Sequence, residues 1–416
     1  MKQNKKDYIV TFILAFLLLY LTYVFTMSQI PGIYNDFNGH LYVYLPLFSR
    51  NTLLEGWMTT PYCLWHMTVL LFNRLLHIPL EPSAAYATCA YALLSFAILY
   101  WIVIKITTAS GNEESPTRAS LISFGLCFVQ SFHFYWLDAG NRFLGTFSMN
   151  PLHNPTQMCV RGLSLLAFCL VYDIWGRQIS DKYCGVFFKV ERGLVRYYIY
   201  LTIILFLTVL AKPTFAQIFI PAVAFIMLVR LIRLILQRDS SLKKQFRHCL
   251  TTLLCAIPSL LYILLQFFAY YIWGRSYGEN SSIIFTKGFE VWHLYSDNII
   301  LSIVLSMAFP LYMIMIDTRF FLKDRMGLLA TIGYAIGLLE AGFLGESGTK
   351  MSHGNFLWPM MSGMLLLWTA SMMRLLVLER TAPETKKKRI LLNIAWILFV
   401  GHLLCGLILL KSTSTY

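Results

Sequence analysis

The chain has 416 residues, of which 57% are hydrophobic and only 13% are charged. A soluble domain carries about a quarter charged residues, so this composition excludes a soluble globular enzyme. The formal net charge of +14 would suit a nucleic-acid-binding protein, but the cations lie in short segments between apolar runs, which indicates a membrane-lipid environment and no nucleic acid. We therefore predict an all-α polytopic helical bundle, in which residues 1–416 form a single integral-membrane domain.

Apolar runs recur along the whole chain, each near the roughly 20 residues that a helix needs to cross a bilayer. The first run follows MKQNKK and is too long for a cleaved signal peptide, so we interpret it as an uncleaved signal anchor. About eleven transmembrane helices are predicted, at residues 8–28, 84–105, 119–137, 159–176, 198–211, 214–236, 249–273, 298–316, 326–344, 356–378 and 390–411.

The basic residues predict the orientation of these spans. With the N-terminus inside, most of the 34 lysines and arginines fall in the inner segments, as the positive-inside rule requires. Segment 61–80 could also form a span, but counting it would move the basic clusters of all later loops to the outside. We therefore expect this segment to lie on the outer surface as an amphipathic interfacial helix, within a long first outer loop at residues 29–83.

The step Lys212-Pro213 separates two apolar runs, at 198–211 and 214–236. Pro213 cannot continue the preceding helix, so the two runs form either a tight outer hairpin or one kinked helix. The basic loops on both sides of the pair favour the hairpin.

The stretch GIYNDFNGHLYVYLP places an acid and a histidine at the predicted membrane boundary. Asn35 is a suitable N-cap, and a short helix can follow until Pro46 stops it. In such a helix Asp36, His40 and Tyr44 share one face. An acid in this position can act as a general base toward a hydroxyl group.

Other polar side chains gather in the predicted outer segments, where they are costly unless they are used. Two Asn-Pro steps in NRFLGTFSMNPLHNPTQMCVRG predict rigid turns around His153, and the loop ESGTKMSHGNFLWP presents an acid, a lysine and a histidine. The basic members of this set could form a pocket for a phosphate group, although Arg161 could equally reach lipid headgroups. The candidate substrate-binding residues are His40, Arg142, His153, Arg161, Lys212, Glu346, Lys350 and His353.

Metal and disulfide chemistry receive no support from the sequence. None of the histidine spacings forms a recognised metal motif, so no metal or other cofactor is predicted. The nine cysteines include no CxxC pair and lie mostly in or beside apolar runs, so we interpret them as small apolar packing residues.

The first 105 residues resemble the GT-C superfamily of membrane glycosyltransferases. The resemblance lies in the order of features: one span, then YNDFNGHLYVY with its early acid, then PYCLWHMTVLLFNRLLHIPLEPSAAYATCAYALLSFAILY, with an aromatic, Pro-bracketed interfacial segment and a second span. The family motif often holds two near-adjacent acids, whereas this chain has Asp36 alone, with Asn35 before it. By position, the resemblance implies that Asp36 is the catalytic base.

The resemblance also implies the reaction and its location. The expected donor is a polyprenyl-phosphate sugar, and the expected acceptor is a hydroxyl group on a glycan or on a lipid-linked molecule. The active site would face outward from a bacterial cytoplasmic (inner) membrane, where nucleotide sugars are absent, and would serve cell-surface polysaccharide biosynthesis.

Two other functions remain open on the sequence. A polysaccharide polymerase or ligase also works outside on polyprenyl-linked glycans, but takes a lipid diphosphate donor. A transporter or flippase, the more distant alternative, predicts paired internal repeats and polar residues at the bilayer midplane. The sequence contains no evident repeat, and its unusual polar residues lie near the predicted outer surface.

Overall fold

A computed structural model describes residues 5–32, 36–50, 60, 62–111, 114–133, 144–180, 182–189, 194–272, 282–381 and 385–413. Over these ranges the chain is almost entirely helical. Nine of the described helices are long and apolar enough to cross a membrane. The protein is therefore an all-α, multi-pass membrane bundle.

All eleven predicted spans contain a helix, and the helices are numbered here in that order. They are α1 (Lys5–Gln29), α2 (Leu80–Ala109), α3 (Pro116–Phe128), α4 (Pro155–Ile179), α5 (Val195–Ala211), α6 (Thr214–Leu236), α7 (Leu242–Phe267, interrupted after Leu254), α8 (Ile299–Ile316), α9 (Arg325–Phe343), α10 (Trp358–Thr381) and α11 (Lys386–Thr413). The helices α3 and α5 are shorter than a full span, so the count of eleven stays a prediction.

The core of the bundle is built around α4 and α10, which are buried along most of their length. The helices α1, α7 and α11 bury much less of their apolar surface and lie at the periphery. Helices α9 and α10 pack closely, because Gly337 and Gly363 lie against backbone atoms of the opposite helix, where a Cβ would collide. Apolar side chains that remain exposed on the peripheral helices face the space that lipid would fill.

The third span was predicted to reach residue 137, but α3 ends at Phe128. Beyond it the chain is extended, and after the Val129 amide, which still bonds to α3, two further amides bond to remote helices. The Gln130 amide donates to the His402 carbonyl at 3.1 Å, and the Phe132 amide donates to the Leu305 carbonyl at 2.9 Å. Because these acceptors are distant in sequence, the apolar run alone could not predict the helix end.

The break at Lys212-Pro213 is a hairpin, as favoured above. Leu201 and Leu205 of α5 line the same small cavity as Phe219 and Val223 of α6. In one kinked helix, residues 205 and 223 would lie about 27 Å apart along the axis, so only an antiparallel pair can bring them together.

The segment after α1 forms three successive helical pieces rather than one short helix. These are an α-turn at Asp36–Asn38, a π-helix at Gly39–Tyr44 and an α-helix at Leu45–Arg50. The expected stop at Pro46 is wrong, because the helical backbone continues from the π-helix through Leu45, whose amide donates to the His40 carbonyl, and on to Arg50. The expected N-cap Asn35 lies outside the described residues.

The segment predicted as an interfacial helix is helical at Leu64–Leu76, and its place at the membrane surface stays a prediction. Its 13 residues span about 20 Å, less than the roughly 30 Å of a hydrocarbon core. One face is buried against α2 through Trp65, whose indole donates to Thr88 Oγ1 at 3.2 Å. The opposite face leaves Leu71 and Leu75 exposed, which is typical of a helix lying at an interface.

A two-stranded antiparallel sheet joins the loops that precede α8 and α10. It pairs β1 (Ile283–Phe285) with β2 (Leu344–Glu346), with Ile283 opposite Glu346. Short helices complete these loops and the connection between α8 and α9, at Glu290–His293, Thr318–Lys323, Gly348–His353 and Asn355–Leu357.

Candidate functional site

Asn154 joins the predicted catalytic acid to a buried lysine. As the N-cap of α4 it accepts the Gln157 amide on Oδ1 at 2.8 Å, which fixes the orientation of its side chain. Its Nδ2 then donates to Asp36 Oδ2 at 2.9 Å, while Lys212 Nζ donates to its Oδ1 at 3.2 Å. One rigidly capped amide therefore holds a carboxylate and an ammonium group on its two sides.

These side chains come from helix ends that an alternating bundle places on one side of the membrane. Asp36 follows α1, Asn154 precedes α4, Lys212 lies between α5 and α6, and Trp358 begins α10. The contacts among them confirm that these four ends meet. We call Asp36, His153, Asn154, Lys212 and Trp358 the polar cluster.

Lys212 is the buried cation of the polar cluster. Its side chain is only 8% exposed, and Nζ lies 4.2 Å from the centre of the Trp358 ring. Burial lowers the pKa of Lys212 to about 8, although the nearby Asp36 acts in the opposite direction. The ammonium is therefore charged near neutral pH but keeps few of its water contacts, which strengthens its attraction for an anion.

His153 lies beside the same aromatic ring, with its ring centroid 5.5 Å from that of Trp358. Burial lowers the pKa of His153 to about 4; Asp36 opposes this shift and Lys212 reinforces it. At neutral pH the imidazole is therefore uncharged. It can donate or accept a hydrogen bond in the polar cluster, but it supplies no positive charge.

His40 contacts a second histidine rather than Asn154. Its Nδ1 lies 3.1 Å from His66 Nε2 on the interfacial helix, so one nitrogen donates and the other accepts. Burial keeps the pKa of His40 well below its usual value, helped by the nearby His66 and Lys212, and burial lowers the pKa of His66 to about 3. His40 therefore belongs to a neutral aromatic wall that includes Tyr44, at a ring distance of 5.3 Å.

The expected shared face of Asp36, His40 and Tyr44 is only partly present. The π-helix widens the turn that contains His40, so His40 and Tyr44 stay adjacent while Asp36 reaches Asn154 instead. Single π-turns within helices are frequently found at functional sites.

A second set of hydrogen-bonded polar side chains lies about one helical turn deeper in the bundle than the polar cluster. Gln157 Nε2 donates to Ser362 Oγ at 2.9 Å, and Thr214 Oγ1 donates to Gln157 Oε1 at 2.9 Å. This contact joins α4, α6 and α10 within the buried core. This contact could not be predicted, because single Gln, Thr and Ser residues in apolar runs carry no local signal that they meet.

The loop before α10 places its three predicted residues in different surroundings. Glu346 is buried in β2 and accepts a hydrogen bond from Asn355 Nδ2 at 2.5 Å, and Lys350 is also buried. His353 is exposed. Glu346 and Lys350 lie on the loop that leads into Trp358, and the expectation that this loop presents all three side chains together stays a prediction.

Of the two predicted arginines the structure describes only Arg161, and none of the contacts described for it reaches the polar cluster. Arg142 lies outside the described residues. Arg161 is only 2% exposed in α4, seven residues and about 10 Å deeper than Asn154. Within the described part of the chain its Nε and Nη2 have no hydrogen-bond partner, and Nη1 contacts the Met158 sulfur at 3.7 Å. Because it is buried, Arg161 does not reach the lipid headgroups.

Across the ranges that the structure describes, no group of three or more histidine, cysteine or acidic side chains is arranged to hold a metal ion. Comparisons with protein-family models, with curated proteins and with solved structures find no match to this chain. The chemistry of the polar cluster is therefore argued from its own geometry.

Proposed function

We propose that the chain is an integral-membrane glycosyltransferase that moves a sugar from a polyprenyl-phosphate donor to an acceptor hydroxyl group. The site would face outward from a bacterial cytoplasmic membrane and serve cell-surface glycan assembly. The observation that carries the proposal is the bridge through Asn154, which holds a carboxylate and a buried ammonium group close together without pairing them directly. Glycosyl transfer from a lipid phosphate needs both groups at one site.

In the proposed reaction, Asp36 takes the proton of the acceptor hydroxyl as its oxygen attacks the anomeric carbon. The bond between that carbon and the phosphate oxygen breaks, and the bonding electrons leave with the polyprenyl phosphate. Lys212 stabilises the negative charge that develops on this phosphate. A buried cation is effective here because little water screens it.

The aromatic and uncharged side chains around the two charged groups would bind the sugar. Trp358 and the neutral His153 offer flat faces beside Lys212, and the His40–His66 pair adds hydrogen-bonding nitrogen atoms. Asp36 is partly exposed, so an acceptor can approach it. The exposed apolar side chains on the interfacial helix would offer the polyprenyl chain a surface near this site.

The test is a transfer assay on the purified full chain in proteoliposomes, supplied with polyprenyl-phosphate hexoses and pentoses and with extracted membrane glycans. Release of free polyprenyl phosphate reports turnover whichever acceptor is used. We expect turnover by the wild type and at least a 100-fold loss in Asp36→Asn, a loss of about 2.7 kcal/mol in transition-state stabilisation.

Asp297→Asn is the matched control, because Asp297 is an exposed acid in the loop before α8 and at the same end of the bundle. It should leave turnover unchanged. Full turnover in Asp36→Asn would remove Asp36 from the mechanism. Release of polyprenyl diphosphate from diphosphate-linked glycans, with no reaction of monophosphate sugars, would establish the polymerase or ligase instead.

A further inference from the structure

A groove of about 640 Å³ lies at the end of the bundle opposite the polar cluster. It is formed by α2, α4, the start of α5 and the segment 182–189 between α4 and α5. Arg196 and Lys212 lie at opposite ends of α5, about 24 Å apart along its axis. Its lining includes Ile98, Trp101, Lys105, Leu166, Lys189 and Arg196.

A buried carboxylate holds one wall of this groove in place. Asp173 of α4 is fully buried and accepts the backbone amides of Val186, Phe187 and Phe188 at 2.7–2.9 Å. These bonds fix Phe187 and Phe188 against Trp101 of α2, at ring distances of 5.7 and 5.1 Å. The groove is therefore a formed feature of the fold and not a gap between loosely packed loops.

Three cations line the same groove. The Arg196 guanidinium lies 4.9 Å from the Tyr197 ring and donates to the Lys189 carbonyl at 3.2 Å, which orients it. Lys105 and Lys189 form no ion pair with any acid in the described part of the chain, and no described acid lines the groove. Counted over the described residues alone, the groove therefore carries three cations and no acid.

We propose that this groove binds an anionic phospholipid, with the headgroup phosphate between Lys105, Lys189 and Arg196. Its acyl chains would lie along Ile98 and Leu166, on helices that cross the membrane. A lipid fits better than a soluble anion because aromatic and aliphatic side chains supply most of the lining, and because basic pockets between membrane helices favour acidic lipid headgroups.

The experiment is native mass spectrometry of the full chain in detergent, with phosphatidylglycerol and phosphatidylcholine added in turn. The wild type should retain phosphatidylglycerol in preference. The variant Lys105→Gln/Lys189→Gln should bind it about 30-fold more weakly, since each basic residue near an anionic lipid contributes about fivefold. Both lysine side chains can be changed without disturbing the Asp173 contacts, so the variant should fold normally.

The matched control is Lys243→Gln/Lys386→Gln, which removes two exposed basic residues elsewhere on the predicted inner side. It should leave phosphatidylglycerol binding unchanged. An equal loss of phosphatidylglycerol binding in both double variants would show general charge attraction and refute a specific site in the groove. Displacement of the lipid by inorganic phosphate at similar concentration would identify a soluble anion site instead, and unaltered binding in Lys105→Gln/Lys189→Gln would also refute the proposal.

A second measurement tests the position of the lipid. Phosphatidylglycerol with brominated acyl chains quenches tryptophan fluorescence on contact, and Trp101 lines the groove. Trp101→Phe should lose the part of the quenching that saturates at low lipid concentration. Quenching that is the same in Trp101→Phe and in the wild type would place the bound lipid elsewhere.

Discussion

Replacing Asn154 with alanine removes the bridge between Asp36 and Lys212 and is the most direct test of the polar cluster. The change deletes two hydrogen bonds to charged groups, each contributing about 1.5–3 kcal/mol. If both bonds keep the acid and the ammonium in their reactive positions, the loss corresponds to about a 10²- to 10⁴-fold fall in turnover. Deleting the N-cap of α4 costs about 1 kcal/mol more in stability.

A second substitution at the same position separates positioning from stability. Asn154→Asp keeps an N-cap oxygen for α4 and can still accept from Lys212, but it has no amide hydrogen to donate to Asp36 and repels that carboxylate. We expect thermal unfolding of Asn154→Asp in detergent to stay near that of the wild type, while turnover falls as far as in Asn154→Ala. Near-wild-type turnover in either variant, measured as release of polyprenyl phosphate, would refute the role of the bridge.

Three other predictions test the charge, the ring and the orientation of the polar cluster. Because burial disfavours the ammonium form, Lys212 loses its proton as pH rises through about 8, and wild-type turnover should fall there. Lys212→Arg keeps its charge and should hold its turnover to higher pH; identical pH profiles would contradict this. Trp358→Leu keeps an apolar side chain but removes the cation–π contact with Lys212. A desolvated contact of this kind contributes about 2 kcal/mol, so turnover should fall about 30-fold; a change below twofold would contradict this. In intact cells, an impermeant thiol reagent should label His353→Cys and Asp297→Cys but not Lys386→Cys, measured against a variant without exposed cysteine; the reverse pattern would invert the bundle.

The sequence predicted the positions of the membrane helices well, because length and apolarity decide whether a segment crosses a bilayer. It also predicted the hairpin at Lys212-Pro213 and a helix within segment 61–80, where proline chemistry and apolar patterning act locally. It failed at the end of α3, since the Gln130 and Phe132 amides bond to helices far along the chain. Local patterns cannot show where such remote acceptors lie.

The polar cluster was predictable in part. Asp36, His153 and Lys212 could be named because charged and imidazole groups are rare at a membrane boundary. Asn154 was expected only as a turn residue before proline. The neighbouring sequence does not show that, when Asn154 caps α4 through Oδ1, its Nδ2 can donate to Asp36. The sequence could not show how far each side chain is buried: His153 is neutral because it is buried, and Arg161 makes no described contact with Lys212.

The π-helix at Gly39–Tyr44 fixes the rotational phase of the segment that carries Asp36. Each residue of an α-helix advances the chain by about 100° around the axis. A π-helix turns less per residue than an α-helix, so winding the same six residues as a regular α-helix would swing everything upstream by about that angle relative to the Leu45–Arg50 helix. Asp36 would then face away from Asn154 with its own side chain unaltered, so the winding of this segment matters as much as the acid within it.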